Sequence, residues 1–350
     1  MSPTIRSDAP RRFRASKLCV LFTVVGAVSV VPGIAISVAA APPTIAPAAS
    51  IQASSIGGIA YDSAAPLNTK ATPMFNTANP PKGPQAVSTY RIAFSGARGE
   101  TVPGIFMAPA IASSKAPAPC VLLLHGLGGS KADVLLLGIA LARRGYASFA
   151  VDIAGHGERP RIGGKTVDKL TTFQMHGLVA ETAVDLRRAV DFVQTRPEVD
   201  RGRLGFLGIS LGGIIGGLFA GNEPRLQTTV LWAAGGNWGK LFATSQHPFA
   251  VEFRRTNSVT STGADILEKA FTDVDPLGVV SYIAPRPLLF INGTADMIVP
   301  RTCADALFAA AKEPKKRVLL PGGHIPDVNE MGAQSLLFFD LNLKNKSAAH

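Results

Sequence analysis

Arg203-Leu204-Gly205-Phe206-Leu207-Gly208-Ile209-Ser210-Leu211-Gly212-Gly213-Ile214-Ile215-Gly216-Gly217-Leu218-Phe219 reads as a short buried strand, a sharp turn and a helix of small apolar residues, in that order. The turn is Gly208-Ile209-Ser210-Leu211-Gly212, a G-x-S-x-G pattern. On so tight a strand-to-helix turn the serine backbone is strained and its hydroxyl stands clear of the sheet edge. Side chains two residues either side would collide with the turn, which accounts for the glycines there. With 35 glycines in 350 residues, chance can supply the pattern alone. Its meaning therefore depends on what surrounds it.

Working outward, strand-like and helix-like stretches alternate. Tyr90 to Phe94 and Val102 to Met107 suggest a hairpin at a sheet edge. Cys120 to Leu124 is a continuous apolar run, as expected of a strand buried on both faces. Lys131 to Arg144 follows as an amphipathic helix and Ala147 to Ile153 as a strand. Leu178 to Val193 has helical periodicity, with Val179, Ala183, Leu186, Val190 and Val193 toward a core and Glu181, Asp185 and Arg188 toward solvent. Thr228 to Ala233, Pro287 to Asn292 and Arg317 to Leu320 are further strands, with helices at Cys303 to Lys312 and Met331 to Leu343. This alternation predicts an α/β fold, a mostly parallel central sheet with helices on both faces. Residues 236–275 carry Trp238, Phe242, Phe249, Phe253 and Phe271 among polar residues. They read either as an inserted lid or as a crossover helix with an extended loop.

In such a sheet, functional groups gather where strands end at their carboxyl edge. His125-Gly126-Leu127-Gly128-Gly129 follows the Cys120–Leu124 strand. Its glycines let a backbone amide, that of Leu127, turn toward Ser210, and Leu211 supplies a second N–H; two such donors stabilise the oxyanion formed when serine adds to a carbonyl. Asp296 stands in the short loop after the Pro287–Asn292 strand, and His324 follows the Arg317–Leu320 strand in Pro321-Gly322-Gly323-His324. Serine at its ordinary pKa is a poor nucleophile, so an imidazole must take its proton and a carboxylate must fix the imidazole tautomer. The chain order Ser210, Asp296, His324 is the one a G-x-S-x-G triad uses on this architecture. Taken singly, Asp296 also reads as a cap for the helix near Arg301, and His324 as a surface loop residue.

From about Thr89 to Leu343 the chain resembles an α/β-hydrolase, nearest to the dienelactone hydrolase and acyl-esterase-like branches. The resemblance rests on Leu123-Leu124-His125-Gly126-Leu127-Gly128-Gly129, Asp152-Ile153-Ala154-Gly155-His156-Gly157-Glu158, Gly208-Ile209-Ser210-Leu211-Gly212-Gly213, Pro285-Arg286-Pro287 through Asp296, and Gly322-Gly323-His324. It implies, in that order, an oxyanion loop, a structural turn, the nucleophile elbow, the acid loop and the catalytic histidine. Dienelactone hydrolases proper use a cysteine nucleophile. Ser210 occupies that position here, so the resemblance implies a serine esterase acting on a small-molecule ester and not the opening of dienelactones. The same acyl-enzyme would also serve a peptidase, thioesterase or acyltransferase, and a hydrolase scaffold can become a non-catalytic binding protein. His125 is expected to brace the oxyanion loop, and His156 to be structural.

The first forty residues belong to a different layer of the chain. Arg6, Arg11, Arg12, Arg14 and Lys17 precede an uncharged apolar run, Leu18 to Ala41, that ends in small residues. This is the layout of a signal peptide over residues 1–41, giving a secreted or periplasmic protein, or of a retained membrane anchor at 18–41. Residues 42–88, rich in Pro and Ala, form a linker or an arm laid over the domain, and the catalytic domain spans 89–345. Residues 1–41 contribute +4 of the net charge of +11, and the remaining +7 is spread with no basic run interleaved with aromatics. Nucleic-acid binding is not expected. No His, Cys, Asp or Glu set has metal-ligand spacing and no G-x-G-x-x-G opens a helix, so neither metal nor cofactor is expected. Cys120 and Cys303 are expected as buried free thiols, with a bridge between them as the alternative.

Overall fold

A computed structural model of the chain describes residues 54–259 and 263–344. The signal or anchor segment, Cys19 and the first part of the 42–88 stretch lie outside the described residues. The elements run β1 (Ser55–Ile56), β2 (Ile59–Ala60), β3 (Lys70–Pro73), β4 (Val87–Ser95), β5 (Thr101–Pro109), β6 (Ala118–Leu124), α1 (Leu135–Arg143), β7 (Ala147–Val151), α2 (Thr172–Thr195), β8 (Val199–Ile209), α3 (Leu211–Asn222) and β9 (Leu226–Trp232). After them come α4 (Trp238–Thr244), α5 (Pro248–Thr256), α6 (Gly263–Ala270), β10 (Leu288–Gly293), α7 (Arg301–Ala310), β11 (Lys315–Leu320) and α8 (Val328–Phe339).

Nine strands form one sheet in the order β11-β10-β9-β8-β6-β7-β5-β4-β3. From β11 to β7 every neighbour is parallel, and β5, β4 and β3 continue the sheet antiparallel. The chain steps from β6 to β7 on one side and then crosses back to β8 on the other. The carboxyl ends of β6 and β8 therefore flank the point where strand order reverses, the place where such sheets bind ligands. Both faces are covered. Cys120, Leu122 and Leu124 of β6 pack into the core beneath α2 and α3, and Val121 and Leu123 pack into the core beneath α1 and α8. Apolar side chains at both parities are why this strand reads as a continuous run.

The sheet starts earlier than the sequence suggests. β3 pairs with β4 and is the outer strand, so the β4–β5 hairpin is one step inside the edge and the expected boundary at residue 89 falls within the sheet. Residues 54–67 lie on the domain as an arm, and this changes the expected solvent face of α2. Asp185 and Arg188 are buried there. Arg188 donates to the carbonyls of Asp62 (3.0 Å), Ala65 (2.8 Å) and Pro66 (2.8 Å), and Tyr61 Oη donates to Asp191 (2.6 Å). Nearby, Glu100, Glu181 and Asp185 converge, and the Arg159 guanidinium lies among them, donating at 2.9, 2.6 and 2.6 Å. Burial raises the Asp185 carboxyl against the pull of Arg159. Polar periodicity here marks a buried ionic layer under the arm in place of a solvated face.

Among the described residues of 236–275 are three short α-helices, α4 to α6, beyond the end of β9. Their aromatic residues join the core shared by the sheet, α2 and α3, with Phe242 stacked on Phe253 at 4.2 Å and Trp238 against Phe242 at 5.5 Å. Cys120 and Cys303 are both free and buried, which decides against the bridge.

Candidate active site

Ser210 sits between β8 and α3 at φ 56° and ψ −119°, the strained conformation expected of the elbow. The motif glycines are required by space. A Cβ on Gly208 would lie 2.2 Å from the Gly212 carbonyl oxygen, and one on Gly212 would lie 2.3 Å from that of His125. His324 Nε2 is 2.7 Å from Ser210 Oγ, and His324 Nδ1 is 2.8 Å from Asp296 Oδ2. Asp296 Oδ1 accepts the N–H groups of Ile298 (2.8 Å) and Val299 (2.9 Å), which aims Oδ2 at the imidazole. The carboxylate is buried and the imidazole mostly so, with side-chain exposures of 3% and 19%. Asp296 is not the cap of α7, whose N-cap residue is Pro300. Asp275 instead accepts three backbone N–H groups, of Asn237, Trp238 and Leu277, and Asp273 pairs with His176. The acid loop and the histidine loop are bound to each other: Thr294 N–H donates to Leu320 O (2.9 Å) and Ala295 N–H to Gly322 O (2.8 Å).

Leu127 and Leu211 both line the cavity that reaches Ser210. Leu211 is the first residue of α3, where N–H groups have no partner inside the helix. Among the described residues, neither the Leu127 nor the Leu211 N–H is taken by a backbone acceptor. The loop carrying Leu127 touches the nucleophile, since a Cβ on Gly126 would be 3.4 Å from Ser210 Cβ. His125 braces this loop as expected. Its Nε2 accepts the Ile153 N–H (3.1 Å), so the proton is on Nδ1, which donates to Gly126 O (2.7 Å). A second brace was not legible in the sequence. Buried Lys131 donates to Asp152 from both its backbone N–H and its ammonium, each at 2.7 Å, tying the loop after β6 to the loop after β7. His156 is buried beside His125, with Nδ1 3.0 Å from Ala154 O.

Burial lowers the His125 pKa to about 4. Between pH 6.5 and 4 the unfolded chain protonates this imidazole and the folded chain does not. Stability is then full above pH 6.5 and falls by about 3 kcal/mol as pH drops to 4. Urea unfolding at pH 7 and pH 4, on wild type and His125→Gln, measures this. Equal pH slopes in the two proteins would remove His125 as the cause.

The cavity at Ser210 has a volume of about 50 Å³ and is walled chiefly by apolar side chains, including Met175, Ile214, Trp238 and Phe242. Two of these come from the 236–275 segment, and so does His247, which the sequence leaves isolated. A second, polar cavity of about 450 Å³ adjoins it. A serine hydroxyl held by an imidazole–carboxylate pair beside free N–H donors can add to a carbonyl and stabilise the resulting oxyanion.

Residues 69–343 match the family model for acetyl xylan esterase (AXE1). The acetyl xylan esterase of Paenibacillus sp. R4 superimposes with a TM-score of 0.65 at 21% identity, covering 79% of this chain and 90% of that one. Acetyl xylan esterase 1 of Thermoanaerobacterium sp. JW/SL YS485 gives 0.66 at 18% identity, covering 80% and 89%. At these identities the likeness shows a shared fold. The putative hydrolase YtaP of Bacillus subtilis (strain 168) is 26% identical over 228 residues, 59% of this chain and 70% of its own length. With the family model spanning most of the sequence, the chain belongs to the acetyl xylan esterase family and is a carboxylic ester hydrolase of the α/β-hydrolase fold.

Proposed function

We propose that this protein is an exported serine esterase for short acyl esters, with Ser210 as nucleophile, His324 as general base and acid, and Asp296 as the group that orients it. The observation that carries the reading is the continuous hydrogen-bonded run Asp296–His324–Ser210, at 2.8 and 2.7 Å. Ser210 Oγ attacks the ester carbonyl as its proton passes to His324 Nε2, and the oxyanion lies against the Leu127 and Leu211 N–H groups. Collapse of this intermediate expels the alcohol, which takes the proton from His324. Water then attacks the acyl-Ser210 ester by the same route, releasing the acid and restoring Ser210.

The acyl group is read from the apolar cavity. One water needs ~10–15 Å³, so a cavity of 50 Å³ holds about three to five water-sized groups. An acetyl or propionyl chain fits. Each further methylene has to displace packed side chains, at a cost of about 1–3 kcal/mol in all. The two acetyl xylan esterases of the same fold support acetyl as the group transferred. Rates on 4-nitrophenyl esters from two to eight carbons test this. kcat/KM is expected to peak at two or three carbons and to fall at least about tenfold by six. An optimum at eight carbons would overturn the short-acyl reading.

Export rests on the basic start and the uncharged run from Leu18 to Ala41. Sequencing the mature N-terminus should give a start beyond residue 39; a start at Met1 or Ser2 would point to the retained anchor.

A further inference from the structure

The two cavities at the site meet along a shared wall made by Leu127, His247 and Phe249. With the acyl chain in the apolar cavity, the alcohol half of the ester must project from the carbonyl carbon toward the other. That cavity is larger and polar, with Arg161, Thr166 and Asp168 on its sides. Of the three residues in the shared wall, His247 alone has a polar side chain.

The protonation of His247 follows from its contacts. It is the N-cap of α5, and its Nδ1 accepts the Phe249 N–H at 3.0 Å. An imidazole that accepts at Nδ1 while neutral carries its proton on Nε2. Burial, and the nearby His324, both lower the His247 pKa, which keeps the ring neutral. No acceptor among the described residues takes a hydrogen bond from Nε2. The helix cap thus fixes a neutral N–H donor in the wall between the acyl and alcohol halves of the site.

We propose that His247 is a specificity-determining residue of this esterase: its Nε2–H binds a hydrogen-bond acceptor on the substrate's alcohol, within a few atoms of the scissile bond. The inference rests on the esterase reading above and adds to it a preference on the leaving-group side. Such a donor rewards an alcohol that offers an oxygen and penalises one that leaves the N–H unpaired.

The test uses two acetate esters of nearly equal size and shape, 2-methoxyethyl acetate and n-butyl acetate, which differ by one ether oxygen in place of a methylene. Wild type is expected to favour 2-methoxyethyl acetate in kcat/KM by about fivefold, the size of one neutral hydrogen bond. The ratio is expected to fall to near one in His247→Phe. His247→Ser keeps an oxygen able to cap α5 but cannot reach the substrate, so it separates recognition from folding; the ratio is expected to collapse there too. A ratio that survives in His247→Ser, or a wild type that does not distinguish the two esters, would overturn the assignment. If wild type hydrolyses neither of these esters nor 4-nitrophenyl acetate, the esterase reading itself fails, and the two failures are told apart.

Discussion

Replacing Ser210 with alanine is expected to lower kcat on 4-nitrophenyl acetate by about 10⁶-fold, the size of the loss when a serine protease loses its nucleophile. The oxyanion donors, cavity and dyad would remain, so a residual rate above that of water is expected. Folding should be untouched, because the Ser210 side chain makes one hydrogen bond, to His324. A glycine at the same position makes a sharper comparison. The backbone at φ 56° and ψ −119° suits glycine far better than any residue with a Cβ. Ser210→Gly should be as inactive as the alanine variant and more stable than it by about 1 kcal/mol in urea unfolding. Retention of more than a tenth of wild-type kcat in Ser210→Ala would remove Ser210 from the mechanism. An equally stable pair would show that the elbow stores no strain.

Asp296→Asn is expected to lower kcat by about 10⁴-fold, by analogy with the corresponding change in serine proteases. The local hydrogen bonds say why so small a substitution should cost so much. Oδ1 receives two N–H groups, of Ile298 and Val299, so the amide oxygen must take that place. The amide NH₂ then faces His324 Nδ1, where the carboxylate oxygen stood at 2.8 Å. Two donors cannot share that contact, so Nδ1 gives up its proton and the proton moves to Nε2. With Nε2 protonated, the imidazole cannot accept the Ser210 proton. Melting temperature should change little, because the loop keeps its two N–H contacts. A loss below threefold would show that another group orients His324.

The parts of this site that the sequence reveals are those fixed by local physics. Ser210 is marked by a turn that admits only glycines around it. Asp296 and His324 are marked by apolar runs that end in short loops. β6 is legible because burial on both faces leaves an unbroken apolar run. The illegible parts are made by contacts across long stretches of chain. Arg188 looks solvated in a helical pattern, and it is chiefly the arm, more than a hundred residues upstream, that supplies its acceptors, with the Ser95 carbonyl of β4 adding another. Lys131 reads as the polar start of an amphipathic helix, and only the packing of two loops brings it to Asp152. His247 sits among aromatic residues with no spacing to any partner, so its place in the cavity wall comes from how α5 packs against α4 and against residues 167–169, far upstream in the chain.

The cross-links from Thr294 to Leu320 and from Ala295 to Gly322 have a mechanical consequence. They join the acid and histidine loops into one body carried on β10 and β11, and Ser210 rides separately on β8, with β9 between. Flexing of the sheet would therefore open the serine–histidine gap while leaving the histidine–aspartate contact intact. The two loops behave as a cassette. Sequence changes in 293–296 are constrained by 320–324, and an attempt to rebuild this site on another scaffold would have to move both together.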